Sequence, residues 1–170
     1  MLDELLHRVS NHTPHDLQAD QRFPEAAVLV PITRSDEPEL VLTLRASGLS
    51  THGGEVAFPG GRRDPEDPDL IFTALREAEE EIGLPPGLVE VIGPLSPLIS
   101  LHGIKVTPYV GVIPDYVEYQ ANDAEIAAVF SVPLEFFSAR IRANTRTGSI
   151  TRAAVGTCPA IGLANSRSGA

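Results

Sequence analysis

The sequence predicts an α/β fold in which a mixed β-sheet carries helices on its faces. Short runs rich in Val, Leu and Ile alternate irregularly with segments of helical periodicity, a pattern typical of such a fold. The 170 residues can bury a substantial core, and 42% of them are hydrophobic against 21% charged. Because the sequence shows no internal repeat and no second domain, we expect one globular domain.

Two apolar segments near the start are predicted to form neighbouring strands. Residues 25–33 (EAAVLVPIT) and 39–46 (ELVLTLRA) are separated by RSDEP, a turn-forming run. The first segment is almost continuously apolar, which is typical of a buried strand. Further strands are predicted at 55–61, 88–98, 104–114 and 125–133, with short helices at 2–9 and from PLEFF onwards.

One longer helix is predicted between a polar loop and Gly83. Asp67 is its expected N-cap and Pro68 its expected first residue, where a missing N–H costs nothing. Gly83 provides the stop. Helical spacing places an apolar face against the sheet, formed by Ile71, Leu75, Ala78 and Ile82. Five phenylalanines are expected to pack the core, namely Phe58, Phe72, Phe130, Phe136 and Phe137.

The last turns of this helix hold four glutamates and no lysine. Negative charge there opposes the helix dipole, and like charges three or four residues apart repel by about 0.2–0.5 kcal/mol per pair. Glu77, Glu80 and Glu81 share one face, whereas Glu79 points elsewhere. Charge runs usually form a solvated surface. A divalent cation would explain the arrangement more fully, because Mg²⁺ binds a few carboxylates together with substrate phosphates.

The segment FPGGRRD lies directly before this helix. Gly60 and Gly61 let the backbone approach a ligand or metal closely, and Arg62 and Arg63 can pair with phosphate oxygens. A Gly-Gly pair alone is most often a plain turn. Next to the glutamates it indicates a site for a phosphorylated ligand.

The combined segment GGRRDPEDPDLIFTALREAEEEIGL resembles the Nudix box, the loop-helix-loop signature of Nudix hydrolases. The family pattern is G, five residues, E, seven residues, then R-E-U-x-E-E-x-G-U, where U is a bulky aliphatic residue. The second half matches position by position, with Ala78 as a small substitute, through Arg76, Glu77, Glu80, Glu81, Gly83 and Leu84. The resemblance implies a Nudix-type α/β/α sandwich with a catalytic loop-helix-loop at about 61–84.

The first half of the box departs from the pattern by one residue. If one extra residue is allowed between Gly61 and Arg76, Gly61 aligns with the glycine of the family pattern. Asp67 then takes the place of the glutamate of that pattern. The acidic partner of Arg76 is therefore left open among Asp64, Glu66 and Asp67.

A second block, LTLRASGLSTHGGEVAFPGGRRD at 42–64, resembles the extended motif of the coenzyme A pyrophosphatases in this superfamily. The resemblance implies metal-dependent hydrolysis of coenzyme A or its derivatives to 3′,5′-ADP and 4′-phosphopantetheine. Two alternatives remain. One is a Nudix pyrophosphatase for ADP-ribose, dinucleotides or damaged nucleotides, and the other is a non-catalytic nucleotide-binding Nudix module.

The resemblance also implies residue roles. Glu77 and Glu81 are the first choice as ligands of Mg²⁺ or Mn²⁺, with Glu80 binding a further ion and Arg76 orienting the carboxylates. Candidates for substrate binding are Arg45, Glu55, Gly60, Gly61, Arg62 and Arg63. Glu55 could equally hydrogen-bond its own loop, and His52 could be structural. The general base is left open among Glu118, Asp123 and Glu125.

The net charge of −10 argues against a general nucleic-acid binder, and no apolar run is long enough for a membrane span. The start of the chain does not resemble a signal peptide, and its single cysteine, Cys158, fits the reducing cytoplasm. We therefore expect a cytoplasmic enzyme with a small nucleoside diphosphate substrate. A homodimer is one assembly compatible with these expectations.

The C-terminal segment differs from the rest of the chain. All 23 acidic residues precede residue 136, whereas residues 138–170 contain five arginines and no aromatic residue. We therefore place the Nudix hydrolase domain at 1–137. The segment 138–170 resembles a truncated or frame-shifted ending, with a divergent or disordered tail as the alternative.

Overall fold

The computed structural model describes residues 1–15, 17, 23–46 and 54–137. His52, Cys158 and the whole segment 138–170 lie outside the described residues, so the expectations about them stay predictions.

Two complete helices, a 3₁₀ turn and eight strands make up the described part of the chain. In chain order they are α1 (Leu2–Ser10), β1 (Glu25–Arg34), β2 (Glu39–Arg45), β3 (Val56–Ala57), β4 (Gly60–Arg62), α2 (Leu70–Ile82), the 3₁₀ turn (Pro86–Leu88), β5 (Glu90–Pro94), β6 (Leu98–Ile99), β7 (Lys105–Pro114) and β8 (Ile126–Pro133). A further helical turn begins at residue 134, as predicted.

The strands form one mixed sheet with β1 at its centre. β1 runs parallel to β7 over its whole length, from Glu25 opposite Lys105 to Arg34 opposite Pro114. On its other side β1 pairs antiparallel with β2 near one end and with β4 near the other. β3 and β8 flank β2, and β5 and β6 flank β7. The central position explains the nearly continuous apolar run of β1.

Alternate residues of β1 serve two separate cores, one on each face of the sheet. Ala27 and Leu29 pack under α2 in a cluster with Val41, Ala74, Ala78, Ile82, Leu84 and Ile113. Val30 and Ile32 point to the opposite face, where α1 covers a cluster with Val9, Leu40 and Val110. Side chains alternate between faces along a strand, so one strand supports both layers. The predicted α/β/α sandwich is confirmed.

Several local predictions were wrong. The segment 55–61 is two short strands, because Phe58 and Pro59 break the pairing. The segment 88–98 is likewise divided among the 3₁₀ turn, β5 and β6. In the first turn of α2, Ile71 is 37% exposed and Phe72 is 48% exposed, so neither belongs to the core.

In the described ranges, neither helix combines the length and the apolar character that crossing a bilayer requires.

Candidate active site

The two glycines of β4 allow close packing between the sheet and α2. Gly60 has φ of +155°, and a Cβ built there would lie 2.4 Å from the carbonyl oxygen of Ala27. A Cβ on Gly61 would lie 2.4 Å from Cδ of Glu77. Any larger residue at either position would collide with the backbone of β1 or with a carboxylate of α2. These glycines therefore set how closely the loop and the helix approach each other.

Glu81 is the most buried of the three glutamates that share a face of α2. Its side chain is 4% exposed, and its Oε2 accepts a hydrogen bond of 3.0 Å from the N–H of Gly60. Its Oε1 lies 3.5 Å from Nη1 of Arg45. Burial raises the pKa of Glu81 to about 7, against the opposing effects of the Gly60 N–H and of Arg45. Such a carboxylate would be stabilised in its charged form by an added cation.

Glu77 lies beside Gly61 and close to Glu81. Its side chain is 18% exposed, and its Oε1 is 3.0 Å from Nη2 of Arg76. Burial raises the pKa of Glu77, and the charge of Arg76 opposes that rise. The negative charge of Glu77 in turn contributes to the raised pKa of Glu81, so the two carboxylates interact electrostatically.

Arg76 connects the box loop to the acidic face of α2. Its Nε donates to Oδ1 of Asp67 and its Nη2 donates to Oδ2, each over 3.1 Å. Its Nη1 donates to Oε2 of Glu80 over 3.0 Å, and its Nη2 also reaches the carbonyl oxygen of Arg62. Together with the contact to Glu77, these bonds hold Asp67 and two helix carboxylates to one guanidinium.

Asp67 is the main partner of Arg76, among the three acids that the sequence left open. Asp64 reaches Arg76 only at 3.6 Å and is 61% exposed, whereas the Asp67 side chain is 3% exposed. The hydrogen bond from Arg76 lowers the pKa of Asp67 to about 2, although burial acts in the opposite direction. Asp67 therefore takes the place of the glutamate that the family pattern has in this part of the loop, as the acidic partner of Arg76.

This pairing corrects the predicted start of α2. Asp69, not Asp67, is the N-cap, and its Oδ1 accepts from the Phe72 N–H over 2.8 Å. The helix begins at Leu70 rather than at Pro68. The carboxylate of Asp67 is occupied by Arg76, by the hydroxyl of Thr73 at 2.8 Å and by the N–H of Asp64. It is therefore not available to cap the helix.

The two arginines after the glycines have different surroundings. Arg63 holds the box loop, since its Nη2 donates to the carbonyl oxygens of Asp67 and Pro68 over 3.1 Å each. Its Nη1 also pairs with Glu25 at 3.2 Å. Arg62 is exposed, and within the described ranges its guanidinium makes no hydrogen bond or ion pair. Of the two, Arg62 has the side chain that is available to a ligand.

Glu55 and Arg45 are adjacent across a backbone hydrogen bond. The N–H of Arg45 donates to the carbonyl oxygen of Glu55 over 3.0 Å, and Glu55 itself is exposed. This contact fixes where β2 ends, next to Glu81.

The loop between β7 and β8, which carries the three candidate general bases, covers the acidic end of α2. The N–H groups of Gln120 and Asn122 donate to the carbonyl oxygens of Ile82 and Glu81, each over 2.9 Å. Gly83 adopts φ of +67° and completes the helix end. The carbonyl oxygens at the C-terminal end of α2 are therefore bonded by main-chain N–H groups. No side-chain pattern in the sequence could have indicated this. Thr73, buried against Asp67, was also missed.

The same loop brings one candidate general base towards the site. The Glu125 N–H donates to the carbonyl oxygen of Asn122, and the Glu125 carbonyl oxygen accepts from Ala46, next to Arg45. The charge of Glu125 contributes to the raised pKa of Glu81. Of the three candidates, Glu125 is therefore tied to the site through the backbone.

The donor set fits a hard divalent cation in its chemistry. Glu77 and Glu81 supply neighbouring carboxylate oxygens with little exposure, beside a glycine backbone. Oxygen donors of this type suit Mg²⁺ and Mn²⁺. In the part of the chain that the structure describes, no three His, Cys, Asp or Glu side chains already converge on one point. Glu80 is 58% exposed and is turned to Arg76, so it would have to reorient to join a metal.

The α/β/α sandwich carries, on its second helix, a row of carboxylates bound by Arg76 beside a glycine pair. The family model described as "NUDIX domain" matches residues 23–152. The chain therefore belongs to the Nudix family. Enzymes of this family generally use divalent metal ions.

Relatives and solved structures agree with this assignment. The chain is 46% identical over 133 residues to "Uncharacterized Nudix hydrolase NudL" of Yersinia enterocolitica, covering 78% of this chain and 68% of the relative. It is 49% identical to the protein of the same name from Cronobacter sakazakii, covering 78% and 69%. These relatives share the family and leave the substrate to be determined.

Two solved structures show the same fold. A binary complex of Ap4A hydrolase from C. elegans gives a TM-score of 0.57 at 20% identity, covering 72% of this chain and 89% of that one. The Nudix domain of NrtR from Shewanella oneidensis, solved with ADP-ribose, gives 0.56 at 19% identity, covering 84% and 96%. At these identities the likeness concerns the fold alone.

Proposed function

We propose that this chain hydrolyses the pyrophosphate bond of coenzyme A or its derivatives with Mg²⁺ or Mn²⁺. Water adds to one phosphorus, the bridging P–O bond breaks, and the bridging oxygen leaves with the other phosphate. The products are 3′,5′-ADP and 4′-phosphopantetheine or its acyl form. A bound cation would neutralise the pyrophosphate and acidify the attacking water.

The observation that supports this proposal is that three residues of the motif at 42–64, Arg45, Gly60 and Gly61, lie against the carboxylates of α2. Arg45 lies 3.5 Å from Glu81, and the Gly60 N–H bonds to the same carboxylate. Gly61 makes room for Glu77. Contacts between this motif and the carboxylates proposed to bind the metal support a role for the motif in binding the substrate phosphates.

We assign the metal to Glu77 and Glu81, with Glu80 joining a further ion. Arg76 touches Glu77 and Glu80 and is proposed to orient them. Coenzyme A carries a 3′-phosphate in addition to its pyrophosphate, so more than one cationic group is needed. Arg62 is exposed and makes no ion pair in the part of the chain that the structure describes, so it and the partly exposed Arg45 suit that requirement better than Arg63.

The test is a hydrolysis screen with Mg²⁺ or Mn²⁺ over coenzyme A, acetyl-coenzyme A, ADP-ribose, NADH and a diadenosine polyphosphate, with products identified by mass. We expect coenzyme A to give the highest kcat/KM. Faster turnover of ADP-ribose or of a dinucleotide would favour the general pyrophosphatase alternative. No turnover of any compound would favour the non-catalytic module.

The replacement Glu81→Gln tests the metal assignment. It keeps the shape and the acceptor for Gly60 but removes the charge, so we expect kcat to fall at least about 10³-fold while the far-UV circular dichroism is unchanged. Hydrolysis at the wild-type rate would rule out the assigned role of Glu81.

A further inference from the structure

The contact between Arg45 and Glu81 is long for a charged pair. Nη1 and Oε1 are 3.5 Å apart, whereas a charge-assisted N–H···O bond is usually about 2.7–2.9 Å. The Glu81 side chain is 4% exposed and that of Arg45 is 28% exposed. Arg45 is therefore near enough to neutralise the buried carboxylate but is not locked to it.

A second nitrogen of the same guanidinium, Nε, lacks a hydrogen-bond acceptor within the described ranges. This nitrogen is buried. A buried donor without an acceptor costs free energy, and the N–H fork of arginine matches the oxygens of a phosphate. An incoming phosphate oxygen could satisfy this nitrogen, which Glu81 alone does not.

The backbone at Arg45 is fixed, so only its side chain can change partner. Its N–H donates to Glu55 and its carbonyl oxygen accepts from Gly54, each over 3.0 Å. The next N–H, that of Ala46, donates to Glu125 over 2.8 Å. The pairing of β2 with β8 shifts register at Arg45. Two neighbouring segments, 54–55 and 125–126, therefore hold this residue at the edge of the site while its guanidinium remains partly exposed.

We propose that Arg45 exchanges partners during binding. In the metal-free protein it neutralises Glu81, and when a divalent cation binds Glu81 its guanidinium turns to an oxygen of the diphosphate. This inference rests on the proposed metal role of Glu81. Its consequence is that the cation and the diphosphate bind with positive coupling carried by Arg45, and such coupling is reciprocal.

The exchange makes a prediction that simple phosphate binding by Arg45 does not. If Arg45 occupies Glu81 in the metal-free protein, it competes with the cation. The replacement Arg45→Gln should then strengthen Mn²⁺ binding in the absence of nucleotide by about threefold to tenfold, measured calorimetrically at pH 8.5. Arg62→Gln removes an equal charge nearby without touching Glu81, so its effect should stay below about twofold. Equal effects of the two replacements would overturn the exchange.

The reverse experiment uses ADP as the probe in EDTA. Glu81→Gln removes the charge that attracts the Arg45 guanidinium. Without any metal, this variant should therefore bind ADP at least about threefold more tightly than the wild type does. Glu80→Gln is the matched control, because it removes a carboxylate from the same helix that Arg45 does not contact. In the double replacement Arg45→Gln with Glu81→Gln, the gain should disappear. Persistence of the gain in the double replacement would contradict the proposal.

The coupling itself is measured from ADP affinities with and without Mn²⁺. Arg45→Gln should reduce the coupling factor by about fivefold or more, and Arg45→Lys should restore part of it, because lysine keeps the charge but lacks the fork. An unchanged factor would overturn the exchange. If Arg45→Gln does not fold, the Arg45→Lys and Glu81→Gln measurements decide.

Failure of this inference can be told from failure of the proposed function. Loss of coupling in Arg45→Gln without any coenzyme A hydrolysis by the wild type would retain the exchange and reject the substrate. Hydrolysis of coenzyme A by the wild type, together with an unchanged coupling factor in Arg45→Gln, would retain the substrate and reject the exchange.

Discussion

The side chains of Asp67 and Arg76 meet at two points, with 3.1 Å from Nε to Oδ1 and 3.1 Å from Nη2 to Oδ2. Two parallel hydrogen bonds fix the plane of the guanidinium as well as its position. Nη1 of Arg76 is then directed at Glu80, and Nη2 also lies against Glu77. The geometry of the candidate metal-binding face therefore depends on a loop residue outside the helix.

Replacing Asp67 with Asn should destabilise the protein. The charged partner of the largely buried Arg76 is lost, so we expect the free energy of unfolding to fall by about 2–3 kcal/mol. Urea unfolding measures this difference. Asp64→Asn is the matched control, since Asp64 is 61% exposed and 3.6 Å from Arg76, and its effect should stay below about 1 kcal/mol. Similar losses for both replacements would contradict the assignment of Asp67 as the main partner.

The same carboxylate should contribute to acid sensitivity. Its pKa is lowered from 3.8 to about 2 in the folded protein, so its ionised form stabilises the fold above about pH 4. As the pH falls through about 2, this contribution is lost. The difference in the free energy of unfolding between wild type and Asp67→Asn should therefore be constant near neutrality and shrink by about 2 kcal/mol between about pH 5 and pH 2. Urea unfolding at a series of pH values tests this, and a difference independent of pH would exclude it.

Gly61→Ala should impair activity more than stability. The added Cβ would lie 2.4 Å from Cδ of Glu77, which is the far end of a flexible side chain and can move aside. Displacing by about 1 Å a carboxylate that is proposed to bind the metal can cost about 10²-fold in rate, so we expect a loss of that size in kcat/KM. Steady-state kinetics and thermal unfolding separate the two effects.

Gly87→Ala is the control for that experiment, because a Cβ there meets nothing within 4 Å. Its kinetics should match the wild type. A stability loss in Gly61→Ala with normal turnover would show that Gly61 serves packing and not the position of Glu77.

Arg62 and Arg63 should respond differently to replacement with Gln. Arg63 holds the carbonyl oxygens of Asp67 and Pro68, so Arg63→Gln should lower the free energy of unfolding by about 1–2 kcal/mol. Arg62→Gln should change stability by less than about 0.5 kcal/mol and raise KM about tenfold. Unfolding curves and kinetics with coenzyme A measure both. A loss of stability in Arg62→Gln and a raised KM in Arg63→Gln would contradict the assignment of Arg62 to substrate binding and of Arg63 to the loop.

The features that local chemistry determines were predicted from the sequence. The apolar run of β1 predicted a buried strand, and β1 lies at the centre of the sheet. Gly83 predicted the end of α2, where φ is +67°. Helical spacing alone decides which of the glutamates share a face, and their role as metal ligands stays a prediction.

The start of α2 could not be predicted in the same way. Asp67 and Asp69 are both suitable caps by residue type. Which one caps the helix depends on Arg76, nine residues from Asp67, and on the buried hydroxyl of Thr73. The exposure of Ile71 and Phe72 was missed for a similar reason, since helical spacing does not show which turns of a helix the sheet covers.

The capping of α2 by main-chain N–H groups at residues 120 and 122 separates the helix end from the identity of the side chains in that loop. Substitutions along the loop would leave both hydrogen bonds in place as long as the backbone path is kept and no proline enters at those two positions. The loop also accepts a hydrogen bond from the Ala46 N–H, next to Arg45 at the edge of the candidate site. During divergence, its outward side chains can thus vary while its backbone keeps the end of α2 in place.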